Sequence, residues 1–283
     1  MPTRRPPARI VSDRLEPVVA RRYLAAVRAT KDATAIEAVE AALRSGSLAE
    51  VQRIVDQLSR ALGPTTQVLA QGYGQSGDLA ATTLGAQLST TISFDVKNPR
   101  AAVWASRNAG RLITAVSDET RQAIRTMIRD SVADGIDVRR TAGRIRDVIG
   151  LTDRLADAVV NQSRRLVEQG NTEAQVDAAT GRYMRKLLTY RSQVIARTEI
   201  VAATIQGQRE LWTQAVDAGQ LDARVTSRVW IVTPDDRLCP LCAPMDGQET
   251  ELEGQFTFDG EPIDGPPGHP QCRCAEGLVF HRD

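Results

Sequence analysis

Four cysteines, Cys239, Cys242, Cys272 and Cys274, sit within the last 45 residues of a 283-residue chain that has no other cysteine, and His269, one of only two histidines, sits among them. Thiolate and imidazole are ligands that zinc favours, and a structural zinc site needs two pairs of them, each close in sequence and brought together by a folded loop. In Cys239-Pro240-Leu241-Cys242 a two-residue spacer lets one tight turn aim both sulfurs at one ion, and the proline favours that turn. The second half runs His269, Cys272, Cys274 after Gly265-Pro266-Pro267-Gly268, a run that cannot be helical. Five donors thus compete for four tetrahedral positions. Cys239, Cys242, His269 and Cys272 form the favoured set, because the last two repeat the knuckle spacing. Cys274 is the alternative to Cys272, since alternate residues of an extended segment face opposite ways.

Paired disulfides, or thiols buried as small hydrophobes, would use the same residues differently. The opening MPTRRPPAR offers no apolar signal segment, so a reducing compartment and a bound metal are expected in place of disulfides. Zn2+ is the expected cofactor, in a structural role: catalytic zinc keeps an open position and a nearby acid or base, whereas here thiolates outnumber the places for them. Cys274-Ala275-Glu276 does spell the CxE of zinc deaminases, but it follows the CxxC instead of preceding it and lies in a stretch framed by proline and glycine. With His269 at the metal and His281 near the terminus, no histidine is left for a Ser/His/Asp set. No catalytic residue is assigned; a zinc-dependent hydrolase or deaminase is the last alternative.

Charge separates this module from the rest. Residues 234–283 carry eleven acidic side chains against three arginines, so the remainder is strongly basic in a chain whose formal net charge is only +1. A zinc ribbon that grips phosphates would be basic, because its affinity comes from neutralising backbone charge. DNA contact, if any, therefore belongs to the helical body, where Lys31, Lys97 and Lys186 are the only lysines and arginine dominates. Arg121, Arg125 and Arg129 share one helix face there and are the candidate contacts to DNA or a partner, against the plain alternative of a solvated face. A nucleic-acid-binding zinc protein is the first alternative function.

The elements that must position the donors follow from period and caps. The chain is mainly α, a multi-helix body with a small C-terminal zinc-stapled β module. It divides into a disordered basic arm (1–10), an N-terminal helical region (11–95), a second helical domain (96–220) and the acidic β module (221–283). Residues 12–62 read as two or three helices with Ser45-Gly46-Ser47 as a turn, whereas 64–92, with Gly72, Gly74, Gly77 and Gly85, is expected to be partly irregular. Ser117 is expected to open a helix that buries Ile124, Met127, Ile128 and Val132 and ends at Gly135. Asp137 and Thr152-Asp153 start two more, stopped by Gly150 and Gly170. The longest helical signal runs from about Glu173 to Ala218, with a break expected near Gly181 or Tyr190. After Gly219 the period becomes alternating: 228–233 is a strand, Phe256 and Phe258 enter a hairpin at Asp259-Gly260, and 277–280 closes the module. No stretch approaches 18 uncharged apolar residues, so no membrane span is expected.

Ala196-Arg197-Thr198-Glu199 on the long helix, Trp230 on a strand leading into CPLCAPMDG with Asp246-Gly247, and the closing PPGHPQCRC together resemble the phage head morphogenesis family typified by the F protein of phage Mu. The resemblance covers roughly residues 120–281. It implies a non-enzymatic minor head (capsid) protein of a tailed phage or prophage, acting in procapsid assembly or in DNA packaging or ejection. The partners it implies are the portal protein and the major capsid or scaffold protein, with the chain as a low-copy oligomer on the portal. The location it implies is the virion head or procapsid, and the host cytoplasm during assembly. Arg197, Thr198, Glu199, Trp230, Asp246 and Gly247 carry over as the structural motif, with Arg197 or Glu199 expected to bond backbone groups of the knuckle and fix its orientation.

Overall fold

A computed structural model describes residues 5–100, 103–104, 110–235 and 238–281, without the side chain of residue 114. Among them are seven helices: α1 (Pro7–Asp32), α2 (Ile36–Ser45), α3 (Ala49–Leu88), α4 (Arg111–Ala133), α5 (Val138–Val148), α6 (Asp153–Glu168) and α7 (Glu173–Asp217). Five short strands follow: β1 (Thr226–Ile231), β2 (Glu249–Glu251), β3 (Phe256–Phe258), β4 (Glu261–Ile263) and β5 (Ala275–Phe280). The described residues are thus mainly helical, 67% of them, with a small C-terminal antiparallel region, as the periodicity predicts.

The chain falls into two compact units. One lies within residues 20–65 and 111–193 and is entirely helical. Asp137 caps α5 by accepting from the Arg140 N–H, and Thr152 caps α6 by accepting from the Leu155 N–H. Ile54, Leu58, Ile124, Met127, Ile145 and Ile149 close its core. The Tyr23 hydroxyl donates to the Gly150 carbonyl at 2.6 Å and accepts from Arg191 Nε, while Arg191 also pairs with Glu119. Two expectations change here. α4 begins before Ser117, because Ile113 and Val116 extend the buried stripe upstream. Val132 is 74% exposed: it lies in the last turn, beyond the end of that stripe.

The other unit lies within residues 1–19, 66–110 and 194–283 and holds the first part of α1, the later parts of α3 and α7, and all the strands. Its three-stranded sheet has the order β2-β1-β5, antiparallel throughout, and β3 and β4 form a separate hairpin. The Asp259-Gly260 turn joins β3 to β4 with both residues at positive φ, the geometry that a two-residue hairpin turn demands. α3 stays helical through Gly72, Gly74, Gly77 and Gly85, against the expected irregularity. The cost of glycine in a helix, about 1 kcal/mol each, is offset by close packing. A Cβ at Gly72 would lie 2.6 Å from the Ile200 methyl, and one at Gly77 would enter the Phe94 ring. α7 likewise runs unbroken past Gly181 and Tyr190. α1 begins at Pro7, inside the segment expected to be a disordered arm, because proline suits a first helical turn and Ala8 is buried against Val201, Ile205 and Ala275. Residues 1–4 of that segment lie outside the described residues.

Candidate metal centre

β1 alternates buried and half-buried side chains, which puts Thr226, Arg228 and Trp230 on one face. Trp230 is fully buried, edge-on to Phe256 at 5.4 Å and stacked on Phe258 at 5.9 Å, and Phe258 lies beside His269. This aromatic floor carries the donors. Trp230 donates its N–H to the Gln248 carbonyl, and its own carbonyl accepts from the Gly247 N–H; Asp246 accepts from the Val232 N–H at 3.1 Å. Asp246-Gly247 therefore returns the knuckle loop to β1, with Gly247 at positive φ.

Each half of the donor set is a turn. In the first, the N–H groups of Cys242 and Ala243 both donate to the Cys239 carbonyl, and the Cys242 N–H also points at Cys239 Sγ. In the second, the Cys272 N–H donates to the His269 carbonyl, and Gln271 sits in the left-handed region at φ 65°. The Gln271 N–H is held by Thr198 Oγ1 at 3.1 Å, and the same hydroxyl donates to the Val194 carbonyl of α7. Thus Thr198 fixes the second turn, whereas Arg197 pairs with Glu16 of α1 through two hydrogen bonds and Glu199 is buried. Arg197 is thus committed to Glu16, and the hydroxyl between it and Glu199 holds the second turn.

The halves converge. His269 Nε2 lies 3.1 Å from Cys239 Sγ and 3.0 Å from Cys242 Sγ, and Cys242 Sγ lies 3.9 Å from Cys272 Sγ. Two groups of three donors, each with its ligand atoms within 4.8 Å of one another, share Cys242: one with Cys239 and His269, the other with Cys272 and Cys274. Sulfurs bonded to one zinc at about 2.3 Å would stand about 3.8 Å apart, so the Cys242–Cys272 separation fits a shared ion. His269 Nδ1 is 2.8 Å from the Pro270 carbonyl, which orients the ring with Nε2 toward the sulfurs. A cavity of about 30 Å3 lies between the donors, the scale of a single ion.

Electrostatics say the same. A hydrogen bond from Cys274 holds the Cys272 thiol down at about 5, in spite of burial. Burial and the nearby Cys272 push Cys242 up to about 12, and the Cys272 hydrogen bond followed by burial pushes Cys274 higher still. Sulfurs packed this closely out of water cannot all ionise unless a cation joins them. The cluster can hold a metal ion, and the sulfur-rich set suits zinc.

Glu276, the acid of the deaminase-like triplet, is fully buried and engaged elsewhere. Arg209 pairs with it, and Arg228 Nη1 lies 3.2 Å from Oε2; Arg228 also lies 5.1 Å above the Phe256 ring. Gln208 of α7 adds a bond to the Glu276 carbonyl and accepts from the Ala8 N–H. Sequence reading missed this clamp, although the alternation of β1 already placed Arg228 on the inner face. His281 Nε2 lies near Ser227 Oγ and Glu249. In the helical unit Arg121 pairs with Asp118, Arg129 with Asp130 and Asp157, and Arg125 is exposed.

Residues 157–276 match the family model described as Phage Mu protein F like protein. That span contains all five donors, the Arg-Thr-Glu helix and Trp230, so over it the chain is similar to that family, as the resemblance implies. A search of curated proteins gives no match, and neither does a search of solved structures. Among the described residues no helix is long and apolar enough to cross a membrane.

Proposed function

We propose that the protein is a minor head protein of a tailed phage or prophage, acting in procapsid assembly or in DNA packaging or ejection. On this reading it contacts the portal and the major capsid or scaffold protein, and works in few copies on the head or procapsid. The observation that carries the reading is the match to the Mu F-like family over residues 157–276, which takes in α7, β1 and the donor cluster as one connected piece. The metal is Zn2+, bound by Cys239, Cys242, His269 and Cys272, with Cys274 as the neighbouring fifth donor. Its role is structural: it closes an acidic module of five short strands that has few large apolar side chains of its own.

Two features support a non-enzymatic role. The acid of the Cys274-Ala275-Glu276 triplet is committed to Arg209 and Arg228. The arginine face suggested for DNA has two of its three members in ion pairs with neighbouring aspartates. The test is co-expression of the tagged chain with the portal, scaffold and major capsid proteins of its own phage, followed by sedimentation. The chain should travel with heads or portal rings, and a Cys239→Ser, Cys242→Ser variant should not. A wild-type chain that stays in the unassembled fraction overturns the proposal.

A further inference from the structure

The register of the small sheet shows which backbone groups of β5 have no strand to bond. Trp230 exchanges hydrogen bonds with the Gln248 and Gly247 side of the sheet, so the even-numbered residues of β1 point their N–H and C=O groups toward β2. The odd-numbered ones then serve β5, through the pairs Ser227–Val279, Val229–Gly277 and Ile231–Ala275. The bond from the His281 N–H to the Val225 carbonyl continues the same phase. It follows that Glu276, Leu278 and Phe280 turn their backbone groups outward, away from β1. The Glu276 carbonyl is taken by Gln208. Among the described residues nothing takes those of Leu278 and Phe280.

Along this open edge lies a cavity of about 290 Å3 whose apolar wall is formed by Ile10, Leu79, Ala80, Leu84, Trp212 and Leu278. Ile10 and Phe280 are large apolar side chains left 44% and 40% exposed. The cavity also meets Arg5, whose guanidinium is 76% exposed and only loosely paired, at 3.7 Å from Asp13; the other charged side chain on the wall, Glu276, is already neutralised. An edge that offers alternating donors and acceptors beside an apolar recess is complementary to one kind of ligand, an extended chain.

We propose that β5 is a docking edge: a short extended segment of a partner protein adds to it as a fourth strand, seats an aliphatic side chain in the recess, and places an adjacent carboxylate against Arg5. The segment bonds the outward N–H and C=O groups of Leu278 and Phe280, which extends the sheet to β2-β1-β5-partner. This goes beyond the assembly reading and does not depend on which protein supplies the strand. The metal centre lies at the start of β5, where Cys274 precedes Ala275, so a closed centre also holds the edge in register.

The probe is a panel of fluorescein-labelled, end-capped octapeptides of alternating valine and threonine with one central leucine and one aspartate, titrated by anisotropy against the metal-loaded full chain. At least one should bind in the micromolar range. N-methylation of the two peptide nitrogens that face β5 should weaken it by about tenfold per hydrogen bond lost, while N-methylation on the opposite edge should not. Phe280→Pro removes an outward donor while sparing the ladder to β1 and should cause a similar loss. Ile10→Asp, at the rim, should do the same by a separate route, and amide exchange should slow at Leu278 and Phe280 on binding. No binding by any peptide up to about 1 mM, equal binding by both N-methylated forms, or protection confined to another part of the chain overturns the proposal; the peptide variants decide the matter even where a protein variant fails to fold.

Discussion

Thr198 carries two bonds on one hydroxyl, and both serve the donors. It accepts from the N–H of Gln271, a residue held at positive φ between His269 and Cys272, and it donates to the Val194 carbonyl of α7. A ligand turn supported in this way loses less freedom when the metal binds. Thr198→Val keeps the shape and removes the acceptor, leaving a part-buried N–H unpaired. It should lower metal affinity about tenfold, measured by competition with a chromophoric chelator, at a stability cost of about 1 kcal/mol. Unchanged affinity would show that the turn holds itself. The donors were legible in the sequence because zinc demands short, fixed spacings. The Thr198–Gln271 bond was not, since its ends are 73 residues apart and nothing in local chemistry links them.

Several helix limits, the strand at β1, the β3–β4 hairpin and the closing strand could be read from local rules, whereas β2 gave no signal of its own. Asp137 and Thr152 at the caps, Gly135, Gly150, Gly170 and Gly219 at the ends with positive φ, and Asp259-Gly260 in the hairpin each satisfy a local geometric need. α3 could not be read so, because its glycines answer to neighbours distant in sequence. Gly207 of α7 shows the same logic: a Cβ there would overlap the Tyr73 carbonyl of α3. Gly207→Ala should cost about 3 kcal/mol, and Gly143→Ala in α5, where the added methyl meets open space, should stabilise by about 0.5–1 kcal/mol. Urea midpoints moving the same way for both would contradict this packing. Lys31 tests a second element. Its ammonium donates to the Asp147 carbonyl in the last turn of α5, and burial lowers its pKa from 10.5 to about 8. Between those values the unfolded chain binds the extra proton, so stability rises with pH across that window. Wild type should gain on Lys31→Met in urea midpoint between pH 7.5 and 9.5; a constant difference would argue against the buried position.

On the scale of the chain, charge and core are distributed unequally. Eleven acids and three arginines lie in the last 50 residues, and the buried apolar cluster of the β module is Trp230, Val232, Met245, Phe256 and Phe258 with the cysteines themselves. Such a cluster is too small to order five strands by hydrophobic burial alone, and the Arg209–Glu276–Arg228 clamp, being ionic and buried, supplies specificity more than net stability. On the proposed reading a bound metal ion supplies what is missing, on the order of 10 kcal/mol in small zinc modules. The helical unit has its own core and does not need it. The direct measurement is elemental analysis of native, reduced protein, read beside near-UV circular dichroism of a Trp104→Phe, Trp212→Phe form, whose one tryptophan is Trp230, before and after chelation. The account predicts one zinc per chain, lost together with the tryptophan signal on chelation while helical ellipticity stays nearly constant. A module that keeps its tryptophan signal with no stoichiometric metal would contradict it.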